Sequence, residues 1–224
     1  MQLWSFLRYF LYIARHWNVP LAITVIRSEW KGEKKYRLRS TGIQPLCRSI
    51  AAEDRKHASI YQPVSFIIGE YLLSQLPPAA LQAGFLDAGC GKGRAIVMAA
   101  QAGFTHLYGF DIAPDMVAAS QQQWQAVKHR YPPAQCKLWQ QNAATVQVPD
   151  DVGTIFLFNP FDNEVMEPFA AQVIASLQRR PRTLYLLYAN PQHKLCWLQR
   201  GFQSIAHYRR LHYLEGEVFV YRPV

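Results

Sequence analysis

The stretch Phe85-Leu-Asp-Ala-Gly-Cys-Gly-Lys-Gly-Arg94 decides the fold. A short apolar run ends in an acid, Asp87, and passes into a turn with glycine at 89, 91 and 93, after which Ala95-Ile-Val-Met-Ala-Ala100 begins an apolar helix. Glycines at these positions let the backbone approach a ligand where a Cβ would collide, and the N–H groups of a helix start are free to meet it. About eighteen residues past the last glycine, a second apolar run, Leu107-Tyr-Gly-Phe-Asp-Ile112, ends in Asp111. An acid in that place is where a βαβ nucleotide fold grips a ribose diol.

Glycine spacing separates the two nucleotide chemistries that share this layout. Dinucleotide binders use G-x-G-x-x-G, and an acid just before the first glycine would repel their pyrophosphate. This chain reads D-x-G-x-G-x-G. Asp87 beside the turn suits a ligand carrying a positive group, such as the amino group of a methionine moiety. These residues resemble the class I S-adenosylmethionine-dependent methyltransferases, and the resemblance can be followed from about Tyr61 to the C-terminus.

The resemblance implies S-adenosylmethionine as cofactor and assigns roles residue by residue. Asp87, Gly89, Cys90, Gly91 and Gly93 would line the cofactor loop, with Cys90 filling a position inside the turn. Asp111 would accept from the ribose hydroxyls, and Ile112 would offer an apolar surface to the adenine. At the third strand end the family commonly has an acid for the adenine amino group, whereas this chain has Asn142, whose amide oxygen can accept the same bond. Asn159-Pro160-Phe161 resembles the N-P-P-Y/F element of methyltransferases acting on amino groups, with the second proline missing. There Asn159 would accept from the target amine beside the methyl group, and the Phe161 ring would pack on it. Asn-Pro is also an ordinary strand-ending turn. Tyr61-Gln62-Pro63 resembles a short Y-x-P element that closes over the cofactor, which makes Tyr61 a third catalytic candidate; a helix start with a packed tyrosine is the competing reading. Tyr61, Asp162 and His57 are all candidates to help deprotonate an ammonium acceptor, and nothing in the sequence chooses between them.

From residue 81 onward, strands and helices alternate as in a parallel sheet covered on both faces. Strands are expected near 84–89, 106–111, 136–140, 153–158 and 183–188, and helices near 93–102, 115–129, 163–179 and 192–199. Residues 202–210 and 216–222, separated by Leu-Glu-Gly-Glu, look like an antiparallel pair. The fold class is therefore α/β, a Rossmann-like doubly wound sheet, mostly parallel, with expected order 3-2-1-4-5-7-6. We divide the chain into a basic N-terminal extension, 1–60, and an S-adenosylmethionine-binding domain, 61–224.

Formal charge is +9 and unevenly placed: residues 1–60 carry eleven Lys/Arg against four Asp/Glu, the rest thirteen against eleven. Such an arm suits an acidic protein or a nucleic acid as partner. Within it, the first seventeen residues, Met1 to Trp17, read as an amphipathic helix, with Leu3, Phe6, Leu7, Phe10, Ile13, Ala14 and Trp17 on one face and Ser5, Arg8, Tyr12 and Arg15 on the other. Arginines interrupt the apolar run, so it reads neither as a secretion signal nor as a membrane span. Packing onto its own domain is the favoured reading, with peripheral membrane contact the alternative. Residues 21–39 read as a β-hairpin turning at Lys31-Gly32-Glu33, its second arm basic. The four cysteines show no paired spacing and read as free thiols in a reducing, cytoplasmic setting; the seven histidines form no metal motif. Half the residues are apolar, enough for a packed core.

The leading functional reading is an S-adenosylmethionine-dependent methyltransferase whose acceptor the sequence does not identify, a protein amine being the first guess. RNA and small-molecule or lipid acceptors are alternatives, as is a non-catalytic S-adenosylmethionine-binding protein. The glycine spacing and the terminal β-pair argue against a nicotinamide oxidoreductase.

Overall fold

The computed structural model describes residues 2–42 (the first two by backbone alone), 50, 61–158, 161–210 and 214–223. Seven strands, β1 (Gly84–Ala88), β2 (His106–Asp111), β3 (Gln135–Gln140), β4 (Val152–Phe158), β5 (Leu184–Ala189), β6 (Gln203–Arg210) and β7 (Leu214–Tyr221), form one sheet in the order β3-β2-β1-β4-β5-β7-β6. The first five run parallel; β7 pairs antiparallel with both β5 and β6. The fold class and strand order are as expected from the sequence. At its far end the pair begins earlier than expected: Leu214-Glu-Gly-Glu217 is strand, with Tyr188 opposite Glu217 and Ala189 opposite Gly216.

β1 is buried along its whole length, and its alternate residues point to opposite faces of the sheet, as the two-residue strand period requires. Phe85 and Phe156 join the core on one face; Leu86, Ile155 and Leu157 join the core on the other. The second face is covered by α6 (Asn163–Arg179) and α7 (Lys194–Leu198), through Met166, Phe169, Val173 and Trp197. The first is covered by α3 (Phe66–Ser74), α4 (Arg94–Ala102) and α5 (Pro114–Val127), with Ile68, Leu72, Ile96 and Trp124 packed inward.

The N-terminal segment folds as two helices, α1 (Gln2–His16) and α2 (Val19–Tyr36), and their buried residues Tyr9, Ile13, Leu21, Ala22 and Val25 are continuous with the core over α3 and α4. The hairpin expected over 21–39 is absent: residues 21–36 belong to α2, and Arg37 is its left-handed C-cap. Asn18 caps it by accepting from the Leu21 N–H at 2.8 Å, and Pro20 occupies its first turn, where no hydrogen-bond donor is needed. Leu21, Ala22, Val25, Glu29, Gly32, Glu33 and Tyr36 are buried at helical spacing. Gly32 marks a contact and not a turn, because a Cβ there would lie 2.2 Å from the Phe66 ring. α1 differs in its facing. Tyr9 and Ile13 are the inward residues, whereas Leu7 and Trp17 of the expected inward stripe are 48% and 38% exposed.

Candidate functional site

The site lies where β1 and β2 end. All three loop glycines adopt the left-handed region, with φ of +76° at Gly89, +49° at Gly91 and +76° at Gly93, which only glycine occupies without strain. The turn is tied to β2 by the N–H groups of Gly89 and Cys90, which both donate to the Phe110 carbonyl at 2.9 Å. Gly93 N–H closes the turn onto the Cys90 carbonyl at 2.8 Å, and a Cβ at Gly93 would come within 3.0 Å of the Ser120 side chain. Cys90 is buried with its Sγ 4.0 Å from Ser120 Oγ, and burial holds its thiol well above the ordinary range. Its side chain supports the turn from behind.

The two acids flank this turn from adjacent strands, with Asp87 in register beside Gly109. Asp111 accepts from Gly91 N–H through Oδ2 and from Ala113 N–H through Oδ1, each at 2.9 Å. Burial raises its carboxyl and these amides oppose the rise. The Ile112 amide opposes it as well, and the carboxylate keeps acceptor capacity for a hydroxyl. Asp87 is different: it is 4% exposed, and no donor among the described residues reaches it. Burial, reinforced by the Asp111 charge, pushes its carboxyl up to about 8. A buried carboxylate of this kind is stabilised by a cationic ligand group placed beside it.

Tyr61 closes the turn from outside. Its ring lies where a Gly91 Cβ would stand, with Cε2 at 2.5 Å from that position, and its hydroxyl donates to the Ser40 carbonyl at 2.8 Å. Lys92 Nζ sits 4.9 Å from the ring centroid. Tyr61 and Ile112 both pack against the small cluster of Ile50, Ala113 and Met116, so the structure brings these two predicted residues together. Asn142 follows β3, and its amide oxygen accepts from Ala144 N–H at 2.8 Å, capping the short turn Ala143–Thr145. One lone pair of that oxygen is therefore engaged already. Phe161 is 8% exposed and packs edge-on against Phe169, with ring centroids 5.6 Å apart. Asn159, Pro160 and His57 lie outside the described residues. Asp162 caps α6 by accepting from Val165 N–H. Among the described residues no group of three or more His, Cys, Asp or Glu side chains is placed to hold a metal.

A buried ion cluster behind the loop was not foreseen from the sequence. Arg94, the first residue of α4, is 3% exposed and donates through Nη1 to Glu29 Oε1 at 2.9 Å and to the Val64 carbonyl, and through Nε to Ser40 Oγ at 2.8 Å. Its Nη2 lies 2.7 Å from Glu29 Oε2 and 3.4 Å from Glu33 Oε1, and the guanidinium stacks 4.0 Å from the Phe66 centroid. Glu33 Oε1 in turn accepts from the N–H groups of Ser40 and Thr41. The signal lay in an arginine opening an otherwise apolar helix and in two glutamates four residues apart in a basic segment.

The residues present fit S-adenosylmethionine: the three left-handed glycines put no Cβ on the turn, the buried Asp87 carboxylate would be stabilised by a cationic group, and Asp111 ends β2, where a ribose diol would be held. Comparison with known proteins agrees. Residues 85–180 match the methyltransferase domain family. The fold is shared with an S-adenosylmethionine-dependent methyltransferase from Aquifex aeolicus (13% identity, 68% of this chain and 88% of that one, TM-score 0.54). It is shared also with the glycopeptide N-methyltransferase MtfA complexed with S-adenosylmethionine (13% identity, 73% and 89% covered, TM-score 0.55). A comparison with curated proteins returns no match. Residues 85–180 are thus a methyltransferase domain. That domain lies within the seven-stranded sheet, order β3-β2-β1-β4-β5-β7-β6.

Proposed function

We propose that the acceptor is an amine, with a protein amine the class to examine first. The observation that supports this reading is the register of β4: Ala88 stands opposite Leu157 in a parallel pair, so β4 ends at Phe158 beside the end of β1 and its glycine turn, and Asn159-Pro160-Phe161 comes next in the sequence. The cofactor supplies a methyl group already activated on a sulfonium. The work left to the chain is placement and exclusion of water. Asp87 would hold the amino end of the cofactor, Asp111 the ribose, and Ile112 the base. Asn159 would accept a hydrogen bond from the incoming amine as positive charge grows on its nitrogen. Tyr61, with its hydroxyl on the Ser40 carbonyl, would close the cofactor against the turn. Free thiols at Cys90, Cys136 and Cys196 support a reducing, cytoplasmic setting. No helix among the described residues is long and apolar enough to cross a membrane.

The test is transfer of radiolabelled methyl to protein, RNA and small-molecule fractions by the wild type and by Asn159→Ala. Cofactor affinity close to wild type with depressed transfer to a protein amine supports the reading. Undiminished transfer by the variant removes Asn159 from the site, and labelling confined to RNA or small molecules replaces the acceptor class.

A further inference from the structure

Residues 1–39 contain two carboxylates, Glu29 and Glu33, and both are turned inward onto Arg94, at 0% and 5% exposure. All eight cations of the same segment, Arg8, Arg15, Arg27, Lys31, Lys34, Lys35, Arg37 and Arg39, are exposed. Burial of the acids thus leaves the exposed charges of this segment cationic, and among the described residues the acid that pairs with one of them is Glu70, 2.8 Å from Lys35.

The same surface is apolar. Tyr9 and Ile13 already fix α1 to the core, yet its opposite side presents Trp4, Leu7 and Leu11 at 70%, 48% and 57% exposure. Their spacing of three and four residues places them on one face, with Arg8 and Arg15 alongside. Val19 and Ile23 stand 51% and 44% exposed at the start of α2, and Trp30 is 60% exposed further along it. Solvent does not favour so many large apolar side chains on a two-helix element. Aliphatic side chains interleaved with arginine and lysine, with tryptophans and no acid, match the boundary of an anionic bilayer: the apolar groups enter the acyl edge, tryptophan stays at headgroup depth, and the long cations reach back to phosphate. A nucleic acid would match the charge but offer nothing to Leu7, Leu11, Val19 and Ile23.

We propose that the outer face of α1, with the start of α2, docks this methyltransferase on anionic membrane surfaces. The core side of the same helices remains packed as described, so docking needs no unfolding.

The test is flotation of the full chain with phosphatidylcholine vesicles containing or lacking phosphatidylglycerol, with tryptophan emission read in parallel. The wild type is expected to float with the anionic vesicles only, to be released by salt, and to shift its emission to the blue. Trp4→Ser/Leu7→Ser/Leu11→Ser is expected to lower the bound fraction about tenfold or more at unchanged thermal unfolding, because these side chains are exposed. Arg8→Glu/Lys31→Glu, which leaves the apolar face intact, is expected to abolish the preference for anionic lipid. Failure to float, or flotation unaffected by the triple substitution, overturns the proposal. A concentration-dependent dimer that the triple substitution dissolves, without vesicle binding, assigns the face to a second copy instead. Salt-sensitive retention on RNA without vesicle binding assigns it to nucleic acid.

Discussion

Arg94 and Glu29 meet through two parallel contacts, Nη1 to Oε1 at 2.9 Å and Nη2 to Oε2 at 2.7 Å, with both side chains buried. Arg94 directly follows Gly93, so the ligand side of the glycine turn and its attachment to α2 are consecutive residues. One apolar core runs from Tyr9 through Val25 and Phe66 to Ile96. Anything that displaces α2 therefore acts on the glycine turn.

Replacing Arg94 by Met leaves Glu29 and Glu33 buried without their cation. Loss of one partner of a buried pair typically costs about 3–5 kcal/mol. Urea denaturation of Arg94→Met is expected to show a loss in that range; a change below about 1 kcal/mol would remove the cluster as a structural tie.

The Asp87 carboxyl is raised to about 8 in the folded chain, against 3.8 when unperturbed. Between these values the folded state holds a proton that the unfolded state has lost. Its contribution is thus most favourable below about 4 and is lost as pH rises through about 8. Relative to Asp87→Asn, the wild type should lose up to about 1.4 kcal/mol per pH unit between pH 5 and 8. S-adenosylmethionine, whose ammonium pairs with the ionised form, should bind more tightly as pH rises from 6 to 8 and release a proton on binding. Calorimetry in buffers of different ionisation enthalpy reads that proton directly, and its absence would mean Asp87 is not the ammonium partner.

At Gly91 a methyl group would strike the Tyr61 ring in a backbone region that alanine disfavours by about 1–2 kcal/mol. Gly91→Ala is expected to weaken cofactor binding by about tenfold or more. Tyr61→Ala should recover part of it, because the two changes share one space. Strict additivity in the double variant would mean that Tyr61 does not cover the turn.

Asp111→Asn retains an acceptor for Gly91 N–H while removing the charge. Cofactor affinity is expected to fall by about 1–3 kcal/mol, the range of charge-assisted hydrogen bonds. Unchanged affinity in a folded variant would displace Asp111 from the ribose position.

From Phe85 onward the fold was legible because local signals agreed: apolar runs, glycine turns and helix periods all specified the same alternating sheet. At 21–39 they conflicted. Ile23-Thr-Val-Ile26 has strand propensity and Lys31-Gly32-Glu33 has turn composition. The helix prevails through the Asn18 cap and through burial of Leu21, Val25, Glu29 and Glu33, with Phe66 requiring a glycine at 32. A partner more than thirty residues away gives no local signal, so the reason for Gly32 was invisible before the fold was known. In the site, the turn and its two acids could be read, because glycine conformation and strand-end acids are local properties. The packing of Phe161 on Phe169 and the engagement of Asn142 by Ala144 depend on how neighbouring segments settle, and a motif does not carry that information.

Glu29 and Arg94 are separated by 65 residues. On a ribosome extending the chain at about 5–20 residues per second, α2 is made roughly 3–13 s before its guanidinium exists. Through that interval two glutamates destined for burial are solvated in an amphipathic, tryptophan-bearing segment, and the latch can close only when the glycine turn itself has been synthesised. Burial of the α2 acids and attachment of the glycine turn to the N-terminal helices thus become possible together, once Arg94 has been made.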